Sequence, residues 1–448
     1  MKKIFIPVLT IALILITAGS WAGDMKVGIG RKAITPQGDV WLNGYANPAR
    51  LKPATGIAHD IWAKALVFEE SPTSRVVIVT TDLLGLSHEI SVDIAKKLND
   101  KYGIQRSQLL LNSSHTHSAP MVWPAAGMFY YKPGDMQTVY NYTRRLVEDI
   151  VAAVDMAMAD LAPMQVWSGH GEADFAFNRR DPALTIRPVD FDVPVLKIAT
   201  PGGELKAVLF GYACHNTTLP GDYTEVNGDY AGYAQIELEK MYPGITALFF
   251  QGCCGDINPN PRGTIEHAMQ HGKTLAESVQ KVITSTMQPV RAPVTTRYET
   301  VELSFRPFDL QLYQNDMVTG DEYVQRRAKL MLQAYNKGWD VSKYSYPVQC
   351  IRFGKDLTIL AMAGEVVVDY ALWAKQTFKN ENLFVAGYSN EVMCYIPTKR
   401  ILGEGGYEAN SSMIYYVLPG PFADNVEERI QGAVKQVMKG VGVKPSKK

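Results

Sequence analysis

The chain has 448 residues, 45 of them basic and 45 acidic, so its formal charge is zero. That balance excludes a nucleic-acid binder driven by a basic surface. Hydrophobic residues at 46% and charged residues at 20% exclude a disordered chain and describe an ordinary globular one. The length accommodates two or three domains, or one large α/β domain with insertions.

Lys2 and Lys3 precede an apolar run from Ile4 to Ala18, and in Ser20-Trp21-Ala22 the small residues Ser20 and Ala22 stand at the −3 and −1 positions of a cleavage site. This pattern predicts a signal peptide over residues 1–22. The run is shorter than the roughly 20 residues a spanning helix needs, which favours an exported, periplasmic or secreted protein over an anchored one. Five cysteines, Cys214, Cys253, Cys254, Cys350 and Cys394, are too few and too scattered for a disulfide framework. An isolated disulfide is allowed, and its pairing is not legible.

Strand-like and helix-like segments then alternate. Arg75–Thr81 is a β-branched run followed by an amphipathic stretch from His88 to Tyr102, and residues 108–111 form a second strand before a long helix from Met136 to Leu161. Ala207–Ala213 and Thr246–Phe250 are further strands, each with a helix after it (Tyr230–Met241 and Glu266–Ser285). A break near 285–293 precedes more strand, and Tyr323–Lys337 reads as a polar helix. Leu357–Met362, a helix from Val366 to Phe378, and Leu383–Ala386 complete the pattern of an α/β protein, a mixed sheet flanked by helices. One catalytic domain over residues 23–440 is expected, with a frayed tail over 441–448.

Open α/β sheets place ligands outside the carboxyl ends of their strands. Five strands end in polar residues of catalytic type. Residues 108–111 lead into His115 and His117, 207–213 into His215, 246–250 into Asp256 and Asn258, 357–362 into Glu365, and 383–386 into Asn390 and Tyr395. In an extended segment residues two apart share a face, so His115 and His117 can address one cavity, and imidazole is a common ligand for zinc. Two core histidines satisfying a turn is the ordinary alternative, made less attractive by His215 at another strand end. Glu365 is either an oxygen ligand or a first-turn carboxylate favoured by the helix dipole. Tyr395 and Tyr407 have packing as their default role, Arg179 beside Arg180 reads equally as a solvated basic pair, and Asp229 reads as an N-cap for the helix at Tyr230.

In this order, these segments resemble the neutral/alkaline non-lysosomal ceramidase family, in its N-terminal catalytic domain. Val27–Pro36 with Gly44, Tyr45 and Ala46 looks like that family's start, and Ser114-His115-Thr116-His117-Ser118 is similar to its histidine motif. The resemblance implies zinc held by His115, His215, Glu365 and Tyr395, one ion per chain. It implies His117 as the proton-transfer group, Tyr407 as oxyanion donor, and Arg179 at the substrate site. Asn258 stands where the family has a serine, Ala119 replaces the glycine after the histidine motif, and the sequence ends where the family's immunoglobulin-like domain would begin.

The implied reaction is hydrolysis of an N-acyl bond of a sphingolipid-like substrate by metal-activated water, with His117 as general base then acid. An oxyanion donor such as Tyr407 is worth about 3 kcal/mol. Expected partners are a small-molecule or lipid substrate, with no nucleic acid, no membrane span and transient contact with a lipid surface. Two rivals remain: the same zinc site acting on an N-acyl sugar, ester or glycoside, or an exported binding protein that has lost the activity.

Overall fold

The computed structural model describes residues 25–123 and 133–446, so the predicted signal peptide lies outside the described residues. The mixed α/β class is as expected, but the strands divide among three main sheets rather than one. In spatial order the first holds Leu109–Ser113, Ser74–Thr81, Trp62–Ser71, Lys26–Ala33 and Ala162–Pro163. The second holds Thr246–Gln251, Leu205–Tyr212, Asp192–Ala199, Gln165–Glu172 and Gln288–Val290, and the third Val294–Ser304, Lys343–Phe353, Leu357–Met362 and Leu383–Ala386.

Each sheet carries one parallel pair at an edge: Ser74–Thr81 with Leu109–Ser113, Leu205–Tyr212 with Thr246–Gln251, and Leu357–Met362 with Leu383–Ala386. A parallel pair needs a crossover, and a helix supplies each one: His88–Tyr102, Asp229–Met241 and Val368–Thr377. The rest of each sheet is antiparallel.

Side-chain alternation explains why the sequence shows unbroken apolar runs here. Val76, Ile78, Leu110, Leu209, Ile359 and Ala361 point into one cluster shared by all three sheets. Their neighbours point the other way, Val77, Val79 and Leu111 toward one helix layer, Val208 and Phe210 toward a second, Leu360 and Met362 toward a third. Strands buried on both faces read as continuous hydrophobic segments.

The three sheets are stitched together at the carboxyl ends of their parallel strands. The buried Asn112 accepts from the Gln251 amide at 2.7 Å and donates to the Gly387 carbonyl at 2.8 Å. Asn390 N–H donates to Leu111 O at 2.6 Å and Gly387 N–H to Gln251 O at 3.1 Å. One side chain and a few peptide groups thus satisfy the strand ends that would otherwise be buried without partners.

Three local expectations are corrected. The last crossover helix starts at Val368, not Val366, because Glu365–Val366 pairs as a short strand with Tyr395–Ile396. The tail is not frayed from 441: Val441 and Val443 are buried and the Ser446 amide donates to Thr377 O at 2.8 Å. All five cysteines are free and buried, so the allowed disulfide does not form.

Candidate metal centre

The strand-end loops bring His115, His117, His215, Glu365 and Tyr395 together. An isolated bridge between Thr116 and Asn216 sets the two histidine loops side by side. The parallel pairing of Glu365–Val366 with Tyr395–Ile396 places Glu365 directly opposite Tyr395, so Glu365 belongs to a strand and not to a helix's first turn. Non-glycine residues with positive φ gather here: His115 at 62°, Asp229 at 53°, Tyr388 at 48° and Asn390 at 69°. Such strain persists where surrounding structure over-determines it, as at functional sites. Gly44 has φ +104°, and a Cβ there would lie 2.6 Å from the His117 ring, so glycine is what lets that ring occupy its place.

Hydrogen-bond accounting separates these histidines. His115 Nδ1 lies 2.6 Å from Leu84 O, and His215 Nδ1 lies 2.7 Å from Cys254 O. A carbonyl only accepts, so both rings carry their proton on Nδ1 and present a bare lone pair at Nε2. Both Nε2 atoms sit 3.1 Å from Glu365 Oε2, another acceptor. Tyr416 donates to the other carboxylate oxygen, Oε1. Tyr395 Oη is 3.4 Å from His215 Nε2. Lone pairs converging in this way fit a cation, and anchoring of the remote ring nitrogen by a carbonyl is how metal-binding histidines are held. His117 differs: its Nε2 is 3.1 Å from His115 Nε2, while its Nδ1 is buried without a partner. The three rings form one cluster of potential ligand atoms within 4.8 Å of one another.

The protonation states agree. Burial pushes the His215 imidazole down to about 4, with Arg179 acting in the same direction. Burial, then the neighbouring His115 and His215, holds His117 well below its ordinary value. Neutral rings at His117 and His215 are in the state an imidazole needs to hold a divalent ion.

Arg179 is not a solvated residue. It donates to Glu408 Oε1 at 3.0 Å, Gly255 O at 2.8 Å, Tyr395 Oη at 3.2 Å and Asn258 Oδ1 at 3.3 Å, so it orients Tyr395 and Asn258. Arg180 holds the other Glu408 oxygen at 2.7 Å. Tyr407 stands 5.3 Å from the Tyr395 ring, 42% exposed toward the cavity. Asp229 occupies the first helical position rather than the cap, and its carboxylate takes the Leu219 and Tyr230 amides at 2.9 and 2.7 Å, a turn-building role. Tyr416, Glu408 and the Leu84 carbonyl were not singled out from sequence. No local pattern marks them, because each matters only through a partner distant in the chain.

A cavity of about 500 Å³ holds His117, Arg179, Asn258 and Tyr407 in its wall, and a chamber of about 140 Å³ lies against His115, Glu365, Tyr395 and Tyr416. A larger cavity, about 970 Å³, is elsewhere, around His170, Asp192 and Lys375.

Comparison with known proteins agrees with this geometry. The family described as neutral/alkaline non-lysosomal ceramidase, N-terminal, matches residues 25–303. Neutral ceramidase B of Dictyostelium discoideum is 26% identical over 305 residues, 58% of this chain and 42% of that protein. The neutral ceramidase of Pseudomonas aeruginosa is 26% identical over 271 residues, 56% of this chain and 40% of that one. The match thus spans less than half the length of either relative. The crystal structure of neutral ceramidase from Pseudomonas aeruginosa superposes with a TM-score of 0.74 at 19% identity, covering 94% of this chain and 75% of that one, a likeness of fold. Three histidines on strand-end loops, in a chain whose first 303 residues match that family from residue 25 onward, have one consistent reading: this chain belongs to the neutral/alkaline non-lysosomal ceramidase family.

Proposed function

We propose that this protein is an exported, zinc-dependent amidohydrolase that cleaves the N-acyl bond of a sphingolipid-like amphiphile. The observation that carries the reading is the convergence of the His115 and His215 lone pairs on the Glu365 carboxyl group. The ligand set is His115, His215, Glu365 and Tyr395, one ion per chain. A bound zinc ion supplies Lewis acidity and lowers the pKa of a coordinated water.

The chain's own residues do the rest. His117, neutral and with no carbonyl fixing its Nδ1, takes a proton from the attacking water and returns it to the leaving amine as the C–N bond breaks. Tyr407 donates to the carbonyl oxygen as charge develops there. Arg179 keeps Tyr395 and Asn258 in place. Export rests on the basic and apolar pattern at the amino terminus. No described helix is long and apolar enough to cross a membrane.

The test is elemental analysis of the purified protein alongside hydrolysis of short-chain ceramide and other N-acyl amines. About one zinc per chain and amide cleavage abolished by chelation are expected. A metal-free protein that does not take up zinc would leave a lapsed binding protein as the better account. Asn258 in the cavity wall favours a second reading, the same centre acting on a more polar substrate.

A further inference from the structure

The metal chamber is the waist of a longer trough. Tyr45, His117, Tyr395 and Tyr407 line both the chamber and the 500 Å³ cavity. Leu84 and Tyr416 line both the chamber and a third cavity of about 230 Å³, walled by Leu86, Val392, Met393 and Leu418. The two lobes differ chemically. Among the described residues, Leu184 is the one branched aliphatic side chain in the wall of the larger lobe, whereas the smaller lobe sets Leu84, Leu86, Val392, Met393 and Leu418 together on one wall, with Asn43, Ser87, His88, Glu89 and Tyr344 also around it.

The larger lobe holds three arginines, Arg179, Arg180 and Arg262, and three carboxylates, Asp181, Glu404 and Glu408, and within it Arg262 and Asp181 are left outside any ion pair among the described residues. Its carboxylates Glu404 and Glu408 are held by Arg180 and Arg179. Asp181 turns Oδ1 to the Ala183 amide. Arg262 makes no ion pair with any described residue, and its contact is with Tyr45 Oη at 3.5 Å. Behind the same tyrosine lies Arg50, 2% exposed, its guanidinium 5.3 Å from the Tyr45 ring centre. Arg50 Nε donates to Gly221 O, but Nη1 and Nη2 have no partner. Arg50 forms no ion pair with any described residue, and Asp222 acts on it only through space, so part of its positive field reaches beyond Tyr45. Asn258 adds donors: its Oδ1 accepts from Arg179 and Thr217, both at 3.3 Å, so the two N–H groups on Nδ2 are left for the cavity.

We infer that the amine half of the substrate carries an anionic group, seated between Arg262 and Asn258, while a short- to medium-chain acyl group occupies the apolar lobe. The scissile amide then lies at the waist, against His117 and the metal ligands. The acyl lobe, at 230 Å³, is below the roughly 300–1,000 Å³ of pockets that hold whole drug-sized ligands, which suits one modest chain. This inference rests on the proposed N-acyl hydrolysis and specifies its substrate class. A carboxylate and a phosphate present the same acceptor chemistry to Arg262.

Three probes separate the possibilities: N-octanoylglycine, N-octanoyl-phosphoethanolamine and the neutral N-octanoylethanolamine. With the zinc-loaded protein, kcat/KM for one or both anionic amides should exceed that for the neutral amide by at least about tenfold, the usual worth of a charge-assisted hydrogen bond. The larger of the two values names the anion. Arg262→Gln should shrink the anionic-to-neutral ratio toward one, mainly through KM, and high salt should do the same. Calorimetric titration of the chelator-stripped protein reads binding without turnover and should show the same preference. Equal handling of all three amides, unchanged in Arg262→Gln, would sink the anion subsite while leaving the hydrolase standing. Anion-preferring binding with no cleavage of any amide would do the reverse, and the absence of both would remove both.

Discussion

Two histidine clusters in this chain use the same residue types to opposite ends. Around His170, Nδ1 lies 2.8 Å from Asp192 Oδ1 and Nε2 lies 2.8 Å from Asn382 Oδ1. Asn382 Nδ2 donates to Ser168 and Asp356, so its oxygen faces the ring and His170 donates from both nitrogens. Lys375 covers Asp190 and Asp192 at 2.7 and 2.8 Å. Every donor meets an acceptor, and the cluster is complete as it stands. Around His115 and His215 the protons are spent on backbone carbonyls and lone pairs face a carboxylate. The cavity beside His170 is the larger of the two, yet hydrogen-bond accounting, not volume, marks the other as the candidate metal site.

The largest effect expected from breaking this contrast is on metal content. His115→Ala should lose both zinc and hydrolysis, because it deletes a lone pair from the convergent set, whereas His170→Ala should change neither. His117→Ala should keep the metal and slow turnover roughly 10²–10⁴-fold, the range for a general acid–base group. Metal analysis and kcat on the three variants check this together. Metal loss in His117→Ala would make His117 a ligand and send the search for the base elsewhere.

A smaller effect is expected at the junction that aligns the site. Asn112→Ala removes the acceptor of the Gln251 amide and the donor to the Gly387 carbonyl, both buried. Leaving such groups unsatisfied costs about 1–3 kcal/mol each, so a loss of roughly 3 kcal/mol in unfolding free energy is expected. Zinc affinity should fall with it, since the three strand ends are no longer tied. Chemical denaturation and metal titration of the variant measure the two consequences. Retained affinity at reduced stability would show that the loops hold the site without the junction.

The junction also shows what was legible in the sequence. The parallel strands were, because burial on both faces leaves continuous apolar runs such as 76–79 and 109–111. His115, His215 and Glu365 were legible as polar residues ending such runs. Their assembly from three sheets was not, since antiparallel neighbours such as Trp62–Ser71 and Lys343–Phe353 are chosen by tertiary packing that no local period records. Tyr416, Arg50 and Arg262 stayed hidden for a related reason. A tyrosine that holds a carboxylate and an arginine that lacks a counter-ion look like any others until their partners, or the absence of partners, are known.

The smallest effect concerns pH and the His170 cluster. Burial works against the charged His170 ring, but the Asp192 carboxylate outweighs it and raises its pKa above the ordinary 6.5. For Asp192, burial acts upward and the His170 hydrogen bond and Lys375 charge outweigh it, lowering the pKa below 3.8. A raised histidine contributes stability below its unfolded pKa and loses it as pH rises through the folded value. A lowered aspartate contributes above its unfolded pKa and loses it as pH falls through the folded value. The pair therefore stabilises the fold in the mildly acidic window between the two titrations, and His170's part fades above neutrality. His170 is 39% exposed, so solvent screening limits that part to less than about 1 kcal/mol. Replacing His170 by Gln should thus lower the unfolding free energy near pH 5 and leave it nearly unchanged near pH 8, with zinc content the same at both. A deficit that grew from pH 5 to pH 8 would have the wrong sign for an ion pair and would place the ring's contribution in packing against Phe384, 5.3 Å away.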